Sequence, residues 1–260
     1  MVLKVRFVKM HGAGNDFVMV DDREEAFPAD DPAAVARLAN RPDGIGCEGV
    51  ILVRRSERAD FRMRFFNPDG TEAELCGNGA RCVAAFALEV GAAKSAKMRF
   101  ETLAGVVAAE VLGGGLVKVA MPEPRNLCGD FVNSGVPHAI VPVDDLSAAD
   151  VEGEGRRIRR SAAYAPAGTN VDFVKYEPPH RLRIRTYERG VEAETFACGT
   201  GAVAAAVVGV AGHGLEFPVT VSTARGFELV VDGDRSASGG FSGITLAGPV
   251  RRVFSGEIEL

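Results

Sequence analysis

The sequence predicts an α/β chain of the α+β type: two pseudo-symmetric domains, each a mostly antiparallel sheet wrapped around a buried central helix. Three observations predict this. The chain repeats its own pattern, each repeat carries runs that alternate apolar and polar residues, and each holds one stretch of small apolar residues directly after a cysteine.

The repeat is read by aligning the chain with itself. Gly14 to Asp22 answers to Gly135 to Asp145, and the run Phe61 to Phe66 answers to Leu182 to Tyr187. Gly70 to Glu74 matches Gly190 to Glu194, Cys76-Gly77-Asn78-Gly79-Ala80 matches Cys198-Gly199-Thr200-Gly201-Ala202, and Thr102 to Gly105 matches Thr223 to Gly226. The order is kept and the offset stays near 121 residues, which independent turn motifs would not do. The expected halves are 1–121 and 122–251, meeting where Pro122 and Pro124 interrupt regular structure. The tail, about 252–260, is expected to return to the first half.

In chain order, alternation predicts strands over 2–8, 16–21, 49–54 and 61–66, then 138–143, 171–176, 182–187 and 219–222. A helix fits Pro32 to Asn40, with Asp31 as N-cap and proline at the first helical position. Ala80 to Val90 and Ala202 to Val210 are rich in Ala and Val and nearly free of charge, so each belongs inside its sheet. Gly113-Gly114-Gly115 reads as a hairpin turn.

Composition removes several function classes. The 260 residues suit one or two domains, and 47% hydrophobic with 25% charged residues is ordinary globular usage. A net charge of −5 without a Lys/Arg run gives no nucleic-acid footprint. The start, MVLKVRFVKMHG, alternates like a strand rather than a signal peptide, and the apolar run Ala202 to Ala211 is too short to span a bilayer. A cytoplasmic protein with no membrane partner is expected. Five cysteines, an odd number, argue against a disulfide framework and for reactive thiols.

Cys76 and Cys198 each precede a Gly-x-Gly turn that leads into a buried helix. A helix N-terminus presents unpaired N–H groups and partial positive charge, which suits a carboxylate and is expected to lower a thiol pKa. Inverting a carbon means removing a proton from one face and returning one to the other, and two thiols of matched basicity can do both. No lysine stands in a pyridoxal-phosphate setting, so no cofactor is expected.

The residues MHGAGNDFVMVD (10–21), NPDGTEAELCGNGARC (67–82), GTNVDFV (168–174) and ERGVEAETFACGTGA (188–202) resemble the diaminopimelate epimerase family nearly end to end. The resemblance implies a diaminopimelate epimerase-like fold, two α/β domains with the site in their cleft, commonly in a homodimer. It implies conversion of L,L-diaminopimelate to the meso form for lysine and peptidoglycan synthesis, without cofactor or metal. By resemblance Cys76 and Cys198 are the acid/base pair, Cys198 abstracting and Cys76 donating in the L,L to meso direction. Gly77, Asn78, Gly199 and Thr200 are implied to hold the carboxylate at the reacting carbon, and Asn15, Asn67, Asn170, Glu188 and Arg189 to line the substrate pocket. Arg189 suits the distal carboxylate. Two places depart from the family pattern. Val136 stands where some members have Asn, with Asn133 or Ser134 as candidate substitutes, and Glu48 and Gly49 stand where some have Asp and Gln.

Other signals carry less. Gly44-x-Gly46-x-x-Gly49 spells a dinucleotide fingerprint but precedes a strand where a helix is required. Cys82 reads as a core residue, and Cys47 and Cys128 lack partners at zinc spacing. His138 is left open among orientation, packing and catalysis. Competing functions are a proline-type racemase, which has no need of Asn67, Asn170 and Arg189, a thiol redox sensor, and an amino-acid-binding protein that would survive loss of both cysteines.

Overall fold

The structure, a computed structural model, describes residues 3–260; the expected strand over 2–8 therefore begins outside the described residues. The chain divides into two compact units, one running to Val119 and taking back Gly248–Leu260, the other comprising Ala120–Ala247.

The first unit contains β1 (Lys4–Gly12), β2 (Asn15–Asp21), α1 (Pro32–Ala39), β3 (Gly49–Arg54), β4 (Phe61–Phe66), β5 (Glu72–Ala73), α2 (Gly77–Glu89), β6 (Lys97–Thr102), β7 (Gly105–Gly113) and β8 (Leu116–Ala120). The second contains β9 (Arg125–Cys128), β10 (Phe131–Asn133), β11 (Pro137–Pro142), α3 (Val151–Arg159), β12 (Asn170–Glu177), β13 (Arg181–Glu188), β14 (Ala193–Thr195), α4 (Gly199–Gly212), β15 (Val219–Ser222) and β16 (Glu228–Arg235). The long β17 (Phe241–Glu259) pairs antiparallel with β16 through Val230↔Ala247 and with β1 through Lys4↔Glu259.

The repeat extends to strand pairing. β2 runs parallel to β3 and β4 to β6, while β3–β4, β4–β5 and β6–β7 are antiparallel. In the same order β11 runs parallel to β12 and β13 to β15, with β12–β13, β13–β14 and β15–β16 antiparallel. Even an ion pair recurs: Arg64 grips both carboxylate oxygens of Glu72 at 2.9 and 2.8 Å, and Arg185 those of Glu194 at 2.8 and 2.7 Å.

Local rules explain the elements. In β4 the alternating Phe61, Met63 and Phe65 are buried between partly exposed arginines, as a sheet with one covered face requires. Asp31 caps α1 by accepting from the Ala33 N–H at 3.0 Å, and Val35, Leu38 and Ala39 turn inward. α2 and α4 are buried on nearly every side. Every residue of α4 is Gly, Ala, Val or Thr, so the sheet approaches closely. Each buried valine there stabilises the unit by about 1.5–3 kcal/mol. The closeness is measured at Gly79 and Gly201, where a Cβ would stand 2.9 Å from Ile51 Cδ1 and 2.6 Å from Asp172 Oδ1.

Two expectations need correction. The Gly-x-Gly segments are not turns ahead of the helices but their first turns, so α2 and α4 start at Gly77 and Gly199 rather than at Ala80 and Ala202. The helix α3, counterpart of α1, is not among the expected elements because VEGEGRRIR buries only Val151 and Gly155; its start is fixed by Asp150 accepting from the Gly153 N–H at 2.9 Å. No helix among the described residues is long and apolar enough to cross a membrane.

Candidate active site

Both cysteines are the N-cap residues of the buried helices, with extended backbone: φ −125°, ψ 123° at Cys76 and φ −108°, ψ 114° at Cys198. Each carbonyl already closes the first helical turn, on the Ala80 N–H at 2.7 Å and the Ala202 N–H at 2.9 Å. Both residues are half-buried. At an N-cap a side chain faces the first-turn N–H groups, so a bound carboxylate and the thiol meet the same positive end of the helix.

In the first unit Cys76 Sγ donates to Asn15 Oδ1 at 3.6 Å, which also accepts from Asn78 Nδ2 at 3.4 Å. Asn15 Nδ2 donates to Glu48. The expected residues Asn15, Cys76, Gly77 and Asn78 are thus gathered at one helix end, and Glu48, the departure from the family pattern, is the residue that orients Asn15. Asn67 bonds within its own turn, Nδ2 to Thr71 Oγ1 at 3.1 Å, rather than to this cluster.

In the second unit the polar groups form a chain behind Cys198. Its Sγ accepts from the Gly201 N–H at 3.4 Å and lies 3.4 Å from Thr200 Oγ1. Thr200 Oγ1 is 3.0 Å from His138 Nε2, and His138 Nδ1 is 2.6 Å from Asp172 Oδ2. Asp172 Oδ1 accepts from Thr186 Oγ1 at 2.7 Å. His138 and Asp172 are fully buried. Because a carboxylate only accepts, Nδ1 carries the proton, and in the neutral ring Nε2 is then the acceptor for Thr200. Asn170 is committed at both ends, Oδ1 accepting from the Arg189 N–H at 2.7 Å and Nδ2 standing 3.3 Å from His138 Nε2. Arg189 is half-buried as a residue, and its Nη1 donates to Ala167 O at 3.3 Å at an exposed position.

The thiol expectation fails at Cys198. Burial pushes its pKa well above the ordinary thiol range, and the carboxylates of Glu188 and Asp172 push it further; Thr200 and the Gly201 N–H pull the other way without prevailing. The helix-end argument considers one element, whereas the opposing charges arrive on β12 and β13. Of the candidate substitutes for the missing Asn at Val136, Ser134 Oγ donates to Thr200 O at 2.8 Å, and Asn133 Oδ1 accepts from the Gly135 N–H at 3.0 Å. Asp172 and Thr186 lie outside the set expected from sequence. Their signal is a lone carboxylate in NVDFV and a lone hydroxyl in RIRTY, facing each other in register.

Cys82 is a core thiol as expected, fully buried and pushed up to about 12 by that burial. Among the described residues no three His, Cys, Asp or Glu side chains converge on a metal position. A surface cavity of about 620 Å³ opens at the other end of α4, by Gly212, Leu215 and Arg235, and includes none of these groups.

Two thiols stand at matching helix N-termini, one in each unit, each beside the N–H groups of its first turn. Comparison with known proteins identifies the family. The family model for diaminopimelate epimerase matches twice, over residues 7–127 and 131–250. The diaminopimelate epimerase of Aquifex aeolicus is 41% identical over 98% of this chain and 98% of its own length. That of Methanocella arvoryzae is 38% identical over 99% and 98%. Among solved structures, a Bacillus anthracis phenazine biosynthesis protein of the PhzF family has a TM-score of 0.77 at 18% identity, covering 99% of both chains. A hydroxyproline epimerase from Agrobacterium vitis has a TM-score of 0.67 at 18% identity, covering 99% of this chain and 93% of its own. These two likenesses carry the fold, and the full-length matches to epimerases carry the family: the chain belongs to the diaminopimelate epimerase family.

Proposed function

We propose that the protein epimerises L,L-diaminopimelate to the meso form, in lysine and peptidoglycan synthesis, by two-base chemistry that needs no cofactor. The observation that carries this reading is the pair Cys76 and Cys198, N-caps of equivalent buried helices, one in each repeat. One sulfur as thiolate takes the α-proton. The electron pair left on carbon spreads into the adjacent carboxylate, held by N–H groups of Gly77, Asn78, Gly199 and Thr200. The other sulfur, as thiol, returns a proton to the opposite face and is left as thiolate. In the L,L to meso direction Cys198 abstracts and Cys76 donates, and the reverse direction exchanges the roles.

Cys198 rests as a thiol, so it sheds its proton before it acts. The chain behind it provides the route: S–H to Thr200 Oγ1, and the Thr200 proton to His138 Nε2, leaving an imidazolium against the Asp172 carboxylate. Incubating reduced protein with L,L-diaminopimelate in heavy water tests the reading. Meso product carrying deuterium at one α-carbon supports it; no exchange with diaminopimelate alongside exchange with proline removes the substrate and leaves the fold.

Asn15, Asn67, Asn170, Glu188 and Arg189 are the proposed substrate contacts away from the reacting carbon. Arg189 is expected to pair with the distal carboxylate. Replacing Arg189 by alanine should raise KM by about 10- to 100-fold, the worth of one charge-assisted contact, with kcat changed less. An unchanged KM would reassign the distal carboxylate.

The halves 1–121 and 122–251, with the tail of about 252–260 on the first, are proposed as the two epimerase halves, and free thiols suit the reducing cytoplasm. A homodimer is proposed as well. Val253 and Phe254 are about half exposed side by side on β17, an apolar pair that a second copy would cover. Light scattering should give twice 27.4 kDa, falling to the monomer mass in Phe254→Lys; a wild-type monomer at micromolar concentration rejects the dimer.

A further inference from the structure

Arg81 is fully buried in α2, five residues after Cys76. Its guanidinium reaches back to the helix start, Nη2 donating to Asn78 Oδ1 at 2.7 Å and Nη1 to Gly77 O at 3.4 Å. Its Nε is buried with no hydrogen-bond partner. A guanidinium keeps its charge, and burying one without an anion is costly. The groups whose negative charge would offset this burial are two sulfurs, Cys82 and Cys76. Burial pushes Cys82 up to about 12, whereas Cys76 is only half-buried, at the helix start toward which the guanidinium reaches.

The second unit is built the other way. Counting five residues from Cys198 gives Val203, buried and apolar, and the charges near that sulfur are the carboxylates Glu188 and Asp172. Two helix ends with the same turn thus differ by one buried cation, Arg81 in the first and Val203 at the equivalent place in the second.

Several charged groups on the strands around α2 are matched locally. Lys9 pairs with Asp16, Glu48 takes the Asn15 amide, Arg64 pairs with Glu72, and Glu110 pairs with Lys118. His11 is held below the usual histidine range by its burial and by Arg251, which keeps it neutral. Arg81, Asn78, Asn15 and Glu48 form a chain of donors and acceptors from a cation to a carboxylate, fixing the direction of both amides. The thiol's own bond to Asn15 at 3.6 Å is weak and neutral beside a full buried charge.

We infer that Arg81 is a positioning residue for the acid–base chemistry, the buried counter-charge that makes Cys76 the more acidic of the two thiols. This rests on the reading of Cys76 and Cys198 as the acid/base pair. Its consequence is directional: the free protein loses the Cys76 proton first and is set for the meso to L,L direction, whereas the forward direction begins with proton loss from Cys198.

Alkylation by iodoacetamide as a function of pH, read for each cysteine by peptide mass spectrometry, tests the inference on the full chain without substrate. Thiolate is the reacting form, so each profile reports the acidity of its own thiol. In the wild type, Cys76 should react half-maximally at least one pH unit below Cys198. Arg81→Met should move the Cys76 profile upward by a unit or more, about a tenfold loss of thiolate near neutral pH, and Arg81→Lys by less. Circular dichroism establishes that the variants are folded. Cys198 titrating at or below Cys76 in the wild type overturns the inference, as does a folded Arg81→Met with an unmoved Cys76 profile. Should Arg81→Met fail to fold, the wild-type order decides. Since alkylation requires no turnover, failure here and failure to epimerise diaminopimelate are separate results.

Discussion

Cys76→Ser and Cys198→Ser are each expected to lower kcat/KM for diaminopimelate epimerisation by about 10²–10⁴-fold, the usual worth of a positioned acid–base group. Serine keeps the shape of the N-cap and caps a helix well, so the fold should survive either change. What is lost is acidity: a hydroxyl neither forms an anion at neutral pH nor yields its proton as a thiol does. The two losses are not equivalent in every assay. With one thiol left, a proton can still leave and return on the same face, so deuterium should enter recovered substrate faster than inverted product accumulates. Measuring both in heavy water separates the cases. Inversion that persists at wild-type rate in either variant rules out the two-base mechanism, and loss of exchange and inversion together in a folded variant shows that the remaining thiol cannot act alone.

Legibility in the sequence follows the range of each interaction. The strands β3, β4 and β15 and the helix α1 agree with expectation because alternation and capping are set by neighbours in sequence. The cysteines are legible because the same motif occurs twice, and their N-cap geometry follows from the turn itself. Interactions between elements are not legible. Arg81 reads as one charge in an apolar run, although its full burial is the strongest electrostatic feature of α2. Asp172 reads as one acid in an apolar strand, because which face of β12 meets α4 is decided by packing. The acidity of Cys198 escapes for the same reason, the helix end being visible in sequence and the carboxylates from β12 and β13 not. His138, open among three roles in the sequence, gains from the structure two ring contacts, to Asp172 and to Thr200.

His138→Ala is expected to destabilise the protein by about 3–5 kcal/mol, because it leaves the fully buried Asp172 carboxylate without its partner. Asp172 would keep only its bond from Thr186, too little for a charge taken out of water. Removing both partners should cost less than the sum of the single changes. In His138→Ala/Asp172→Asn the amide can still accept from Thr186, and no buried charge remains. Denaturant unfolding of the two single variants and the double variant closes the cycle, and a coupling between the changes of about 1 kcal/mol or more is expected for groups 2.6 Å apart. Strict additivity would mean that Asp172 is held by something other than the imidazole. Catalysis supplies the independent readout. His138→Ala breaks the route from Cys198 through Thr200, so kcat should fall in the direction that begins with proton loss from Cys198, even at temperatures where the variant is fully folded. A folded variant with wild-type kcat in both directions would reduce the His138–Asp172 pair to a structural one and leave bulk water as the acceptor of the Cys198 proton.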